Sequence, residues 1–190
     1  RAGLLHSSRN IAEIYFDGDG VSQDHKKAMA YYRKSAAKGD TYSMIKIAYL
    51  NKEGFGTEKN LDEAMKWYKK AADRGDKIGL TGIGLVYALK GEGSKAFSYL
   101  KEAAEKEETE AMIFLGLFYE KGVGEKKNID EAVRWLVRAS EDYPRVNTLL
   151  ARIYYDYHNY DKAANRFTIA IENNVTNIEK ADYYKIGVSM

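Results

Sequence analysis

The sequence predicts an all-α fold, a right-handed superhelical solenoid of stacked antiparallel helix pairs, and three observations carry that prediction. Ala28, Ala64, Ala96, Ala132 and Ala163 recur at spacings of 36, 32, 36 and 31 residues, a period that marks stacked helical hairpins. Around each anchor the apolar residues keep helical spacing, as in Ala64, Trp67, Tyr68, Ala71 and Ala72, which predicts a stripe packed on neighbouring helices. One proline in 190 residues, 45% apolar content and 16 tyrosines among Ala-rich helical patterns exclude disorder and favour helix over sheet.

The first unit, about 4–39, turns at Gly18-Asp19-Gly20. Asp24 then opens a helix carrying Ala28, Tyr31-Tyr32 and Ala36, and Gly39-Asp40 closes the unit. In the second, 40–75, a helix from about Tyr42 to Glu53 precedes the turn Gly54-Phe55-Gly56-Thr57-Glu58-Lys59. Asn60 is placed to cap the next helix, with Glu63 positioned to reach back in a capping-box arrangement. Gly75 should end that helix in the left-handed conformation, and Asp76 should cap its successor. The third unit, 76–107, keeps Ile83-Gly84, Tyr87, Ala96, Tyr99-Leu100 and Ala103-Ala104 but lacks the longer turn, hence its 32-residue spacing. The fourth, 108–142, restores the turn as Gly122-Val123-Gly124 before Asn128, Ala132, Trp135-Leu136 and Ala139. The fifth, 143–174, retains Leu150-Ala151, Tyr154, Asn159, Ala163, Phe167 and Ala170, with Pro144 suited to the first turn of its first helix. A terminal helix over 177–190, with Ala181, Tyr183-Tyr184 and Ile186-Gly187, is expected to cap the stack or to continue into further chain. Together these make one repeat domain over 1–190.

Small-x-x-x-apolar-small-x-x-aromatic, then Gly-x-Gly, then a capped helix with Ala, Trp or Tyr-Tyr, and Ala-Ala before Gly resembles the SEL-one-like repeat. This is a longer-turned relative of the tetratricopeptide repeat. It is carried by Ser43, Ile47-Ala48, Gly54 and Gly56 with Ala64, Trp67-Tyr68, Ala71-Ala72 and Gly75. A second copy is Ala111, Leu115-Gly116, Tyr119, Gly122 and Gly124 with Ala132, Trp135 and Ala139. Units 76–107 and 144–174 are closer to plain tetratricopeptide repeats. The chain departs from the pattern in having Asn51 at the usual aromatic position, no proline after Gly-x-Gly and no bridging cysteines. The resemblance implies a scaffold for signalling, assembly or host interaction, with small bacterial members acting as inhibitors or immunity proteins.

Thirty Lys and Arg against 28 Asp and Glu leave a charge of +2, too little to draw the whole protein to nucleic acid or to an anionic membrane. No cysteine is present, which rules out disulfides and thiolate metal sites. Apolar stretches are too short for a membrane span. The compartment stays open between cytoplasm and, if a leader has been removed, periplasm or exterior.

Motifs that invite chemistry are explained by structure. Asp17-Gly18-Asp19-Gly20 with Asp24 puts Ser22 and Ala28 where a calcium loop needs Gly and Glu. Gly122-Val123-Gly124-Glu125-Lys126-Lys127 lacks the spacing of a phosphate loop. His6, His25 and His158 are far apart and read as surface or interface residues. Gly79, Gly82 and Gly84 follow no strand and predict close helix approach rather than a dinucleotide site. Trp67, Tyr68, Trp135, Tyr32 and Tyr99 occupy equivalent repeat positions and are expected in the core. Asn174-Val175-Thr176 is a formal glycosylation sequon. No nucleophile elbow or cysteine nucleophile exists, so neither catalytic residues nor a cofactor or metal are expected.

In tetratricopeptide-like stacks the first helix of each pair lines the concave face. That register gives Tyr42, Ile45, Tyr49 and Lys52, then Ile78, Thr81, Leu85 and Ala88, then Glu110, Ile113, Leu117 and Glu120. Toward the ends it gives His6, Arg9, Glu13 and Phe16, and Arg145, Thr148, Arg152 and Tyr155. The expectation is a monomeric adaptor that takes a protein or peptide partner in an apolar trough. Partner-binding residues would be Tyr42, Ile45, Tyr49, Lys52, Ile78, Thr81, Leu85, Ile113 and Leu117, with Arg145 and Arg152 pairing to acidic groups. Two alternatives stand beside it. One is a hydrolase acting on cell-wall-type compounds, and the other a structural spacer within a longer chain.

Overall fold

The computed structural model describes residues 2–173, with side chains from Ser8 onward. Among these residues there are ten helices and no strand. They are α1 (Ala2–Asp17), α2 (His25–Ala36), α3 (Thr41–Glu53), α4 (Leu61–Ala72), α5 (Lys77–Leu89), α6 (Gly93–Glu105), α7 (Thr109–Lys121), α8 (Ile129–Asp142), α9 (Val146–Asp156) and α10 (Tyr160–Glu172). The helix and the sequon expected at 174–190 lie outside the described residues. Neighbours pack as pairs, α1 with α2, α3 with α4, α5 with α6 and α9 with α10, and α3 also touches α5. The chain divides into two compact units, one up to Ala111 and one from Met112.

Each turn closes with one recurring backbone bond. The N–H at the start of the second helix donates to a carbonyl on the first: Asp24 to Tyr15 and Asn60 to Asn51 at 2.8 Å, and Asn128 to Tyr119 at 2.9 Å. In the short-turned pairs the partners are Glu92 and Tyr87 at 2.9 Å, and Asn159 and Tyr154 at 2.8 Å. The partners are nine residues apart in the long turns and five in the short ones. The four extra residues are the Gly-x-Gly insertion that the spacing of 36 against 32 reveals. Because the carbonyl makes the bond, Asn51 substitutes for tyrosine here without loss of the closure. Its buried side-chain amide donates instead to the Ile47 carbonyl at 2.8 Å.

Caps follow the sequence signals. Asp24, Asp40, Asn60, Asp76 and Asn128 accept from backbone N–H groups in the first turn of the helix they precede, filling donors that would otherwise lack partners. The capping box at Asn60 does not form. Its N–H is already committed to Asn51, and Glu63 turns to Lys66 at 2.5 Å. Pro144 sits in the turn just ahead of α9, its carbonyl accepting from Asn147 N–H at 3.0 Å.

Glycines inside α5 and α7 set the packing distance. A Cβ on Gly79 would lie 2.5 Å from the Ala72 nitrogen, one on Gly82 2.2 Å from the Tyr68 ring, and one on Gly84 2.8 Å from Leu100. Gly116 stands in the same relation to Leu136, at 2.7 Å. Close approach is therefore the role of this glycine run, because only a residue without Cβ admits the facing backbone or side-chain atoms at those distances.

In the first unit one core gathers Ala12, Ala28, Tyr32, Met44, Ile47 and Leu50, and a second gathers Ala48, Ala64, Tyr68, Ile83 and Val86. In the second unit Phe114, Leu115, Trp135, Leu136, Leu150 and Ile153 are buried. Of the five aromatics expected in the core, Tyr32, Tyr68 and Trp135 are buried there, whereas Trp67 and Tyr99 pack against the cores and stay partly exposed.

Candidate functional site

In the first unit, α1, α3 and the turns beside them carry a connected set of aromatic rings. Phe16 lies 6.3 Å from both Tyr32 and Tyr49, and Tyr49 lies 6.0 Å from Phe55 in the Gly-x-Gly turn. His25 stacks on Phe55 at 5.2 Å with 19° between planes, and Gly56 makes this possible. A Cβ there would come within 2.7 Å of the His25 backbone. Lys46 places its ammonium 4.4 Å from the Phe16 centroid and 5.3 Å from that of Tyr42, and Lys52 lies 5.5 Å from Tyr49. These are cation–π distances. The surface thus combines apolar area with cations held over it.

Glu13 organises the end of this face. Its carboxylate accepts from the Tyr32 hydroxyl and, at 2.9 Å, from the Tyr42 hydroxyl. Burial, reinforced by that carboxylate, pushes both phenols well above their ordinary range. Arg9 covers the Tyr42 ring at 5.4 Å and reaches Asp40 at 3.7 Å. Both phenols serve as fixed donors, Tyr32 from inside the core and Tyr42 with its ring exposed.

Not every predicted lining residue reaches the surface. Tyr42 and Ile78 are exposed, while Ile45, Tyr49, Lys52 and Leu85 are partly covered, with Ile45 packed against both cores. Thr81 is corrected: it is 1% exposed. Its hydroxyl donates to Glu108 Oε2 at 2.8 Å inside the protein. Ile113 is corrected likewise, at 7% exposed. From Ala111 to Gly116 every residue of α7 is buried, and a helix apolar around its circumference has no outward face to give. Lys52 pairs with its neighbour Glu53 at 2.7 Å.

In the second unit Leu117 is partly covered and Arg145 exposed. Arg152 does not offer its guanidinium outward. It binds both oxygens of Glu120 at 2.9 Å and Asp156 at 3.1 Å. Glu120, expected in the trough, is 6% exposed, so the pair is an internal tie between α7 and α9.

Phe55 and His25 belong to the aromatic surface although register arguments on the first helices did not include them. Phe55 sits in a turn, where helical periodicity has no reach. Among the described residues no three His, Asp or Glu side chains converge as metal ligands. Asp24 in the Asp-Gly run is occupied as a cap, accepting from Lys27 N–H at 2.9 Å. No described helix is long and apolar enough to cross a membrane.

The model of the Sel1 repeat matches residues 6–40, 41–76, 80–107 and 109–143. A Sel1 repeat protein from Oxalobacter formigenes superposes with a TM-score of 0.78 and 30% identity, covering 87% of this chain and 70% of that one. The immunity protein Pa5087 of Pseudomonas aeruginosa shares the fold, with a TM-score of 0.67 and 22% identity over 88% of this chain and 65% of that protein. The chitin synthase regulator SKT5 of Saccharomyces cerevisiae is 31% identical over 155 residues, 79% of this chain. The chain spans only 18% of that relative's length. The helix-pair solenoid and the repeated glycine and alanine signature agree with these matches. The chain belongs to the Sel1 repeat family.

Proposed function

We propose that the chain binds a protein or peptide partner on the first-helix face of its first unit, acting as an adaptor without catalysis of its own. Sel1 repeats are in general protein-interaction modules on a non-catalytic scaffold. The observation that carries the finer reading is the solvent contact kept by large apolar side chains on that face. Tyr42 is 37% exposed, Phe55 41% and Ile78 41%. A side chain needed only for the fold has no reason to stay there, and clustered exposed aromatics mark interaction sites. An amphipathic helix or an extended segment would lay apolar groups against Tyr42, Tyr49 and Phe55, with Lys46 selecting acidic groups at the margin. Similarity to a protein named as a regulator supports a role exerted through another protein. In the second unit Leu117 and Arg145 are proposed as further contacts.

Affinity capture with the wild-type chain, followed by reconstitution with the purified partner, tests the reading. Tyr42→Ala combined with Ile78→Ala should weaken that binding about tenfold or more while the helical circular dichroism is unchanged. Undiminished binding rejects this face as the docking surface.

A further inference from the structure

A second surface of the first unit, away from the face just described, has its own chemistry. It begins with an unequal distribution of charge. Helix α2 carries Lys26, Lys27, Arg33 and Lys34 and no acidic residue, and α4 ends on Lys69 and Lys70 with Arg74 two residues beyond it. Cations at helix C-termini complement the macrodipole, and that suffices for Lys34 and Lys69, which are exposed. It does not explain why Arg33, Lys70 and Arg74 line one cleft.

That cleft has a volume of about 660 Å³, with Met44 and Trp67 among its apolar lining and Asp73 as its acidic member. Lys70 holds its ammonium 4.1 Å from the Trp67 ring centroid. Arg74 reaches the α2–α3 corner, where a Cβ on Gly39 would lie 3.6 Å from its Nη1. Arg33 rests against the Met29 sulfur at 3.8 Å. Among the described residues none of these three cations forms an ion pair with a carboxylate, although ion pairs are common elsewhere in the chain. Three cations and one carboxylate line the cleft, and Glu63 on α4 adds a second carboxylate that feels Arg33 and Lys70, so a net positive charge remains over an indole floor.

We propose that this cleft is a binding site for an acidic peptide segment in which Asp or Glu residues flank an apolar side chain. Guanidinium groups match carboxylates through two parallel hydrogen bonds, so Arg33 and Arg74 take the acidic groups. Trp67, which is only partly buried, takes the apolar one. An inorganic anion leaves most of the volume and the whole apolar floor unused, and Asp73 disfavours a doubly charged one. The site involves none of the residues of the first-helix face and is independent of the function assigned to it.

The chain has two tryptophans, and Trp135→Phe leaves Trp67 as its one indole reporter. The probe is a short synthetic peptide alternating glutamate and leucine, titrated against the full chain and followed by Trp67 emission, with calorimetry on the wild-type protein alongside. A saturable emission change is expected, lost when glutamine replaces glutamate in the peptide. Arg33→Gln with Arg74→Gln should weaken binding about tenfold or more. Lys95→Gln with Lys101→Gln, which removes the same formal charge from α6, should leave it unchanged, as should Tyr42→Ala with Ile78→Ala. The proposal is overturned if Trp67 does not respond and calorimetry shows no binding, if the glutamine peptide binds equally, or if the α6 pair weakens binding as much as the arginine pair. Saturation by inorganic phosphate at lower concentration than the peptide overturns the peptide assignment.

Discussion

Thr81 on α5 and Glu108 ahead of α7 are joined by a 2.8 Å hydrogen bond in the interior, and the same Glu108 oxygen accepts from Ala111 N–H at 2.6 Å. One buried carboxylate thus caps a helix and ties it to the preceding pair. Thr81→Val keeps the shape and removes the donor, leaving Glu108 short of a partner in a buried site. The expected loss is about 1–2 kcal/mol, read as a lower urea midpoint. An unchanged midpoint means that the bond contributes nothing.

Glu107 stands where Gly39 and Gly75 stand in earlier units, and its φ of +59° is left-handed. A side chain pays for that conformation with strain that glycine escapes. Glu107→Gly should therefore stabilise the chain by about 0.5–1 kcal/mol, measured by urea denaturation. Destabilisation would show that the Glu107 side chain outweighs its backbone strain.

Gly82 faces Tyr68 so closely that a methyl group has no room. Alanine's better helix propensity, about 1 kcal/mol, works against the clash. Gly82→Ala should still lower stability by about 2 kcal/mol. A gain would mean that the Tyr68 ring moves aside at little cost.

Arg152 neutralises a carboxylate, Glu120, that is 6% exposed. Arg152→Leu should cost about 2 kcal/mol or more, because a buried charge loses the guanidinium nitrogen that donates to both its oxygens. Arg145→Leu on the surface should stay within about 0.5 kcal/mol. Equal effects in thermal denaturation would contradict the internal tie.

Glu110 keeps solvent contact, yet protein atoms crowd its carboxyl. Burial first, then repulsion from Glu108, raise its pKa above the ordinary 4.5, with Lys52 opposing the shift. The folded state therefore binds this proton more tightly than the unfolded state. Its contribution to stability is complete below the unfolded carboxyl range and is lost as pH rises through the folded value. Glu110→Gln should stabilise the chain at neutral pH and have little effect at about pH 4. A stability difference independent of pH would refute the shift.

Much of the architecture was legible because it is written in local rules. Asp40, Asn60 and Asp76 cap through contacts two or three residues away. The glycines at turns need positive φ, and alanine and aromatic anchors repeat in step with the hairpin. Glu108 carried the same signal in weaker form: it stands 32 residues after Asp76 and 68 after Asp40, at the cap position of its unit. The face was less legible. Register placed Tyr42, Tyr49 and Ile78 where they retain solvent contact, and it also placed Thr81, Ile113 and Glu120 there although all three are buried.

The sequence by itself determined the helix pairs, their caps and the two turn lengths, because each depends on residues near in the chain and recurs from unit to unit. Tertiary packing alone decided which first-helix side chains meet water. It turned Thr81 inward to a carboxylate 27 residues away and engaged Arg152 with Glu120, 32 residues distant. It also brought Arg33, Lys70 and Arg74 to one cleft. Those outcomes depend on which charges and cavities a neighbouring pair presents, and a period along one chain does not encode that.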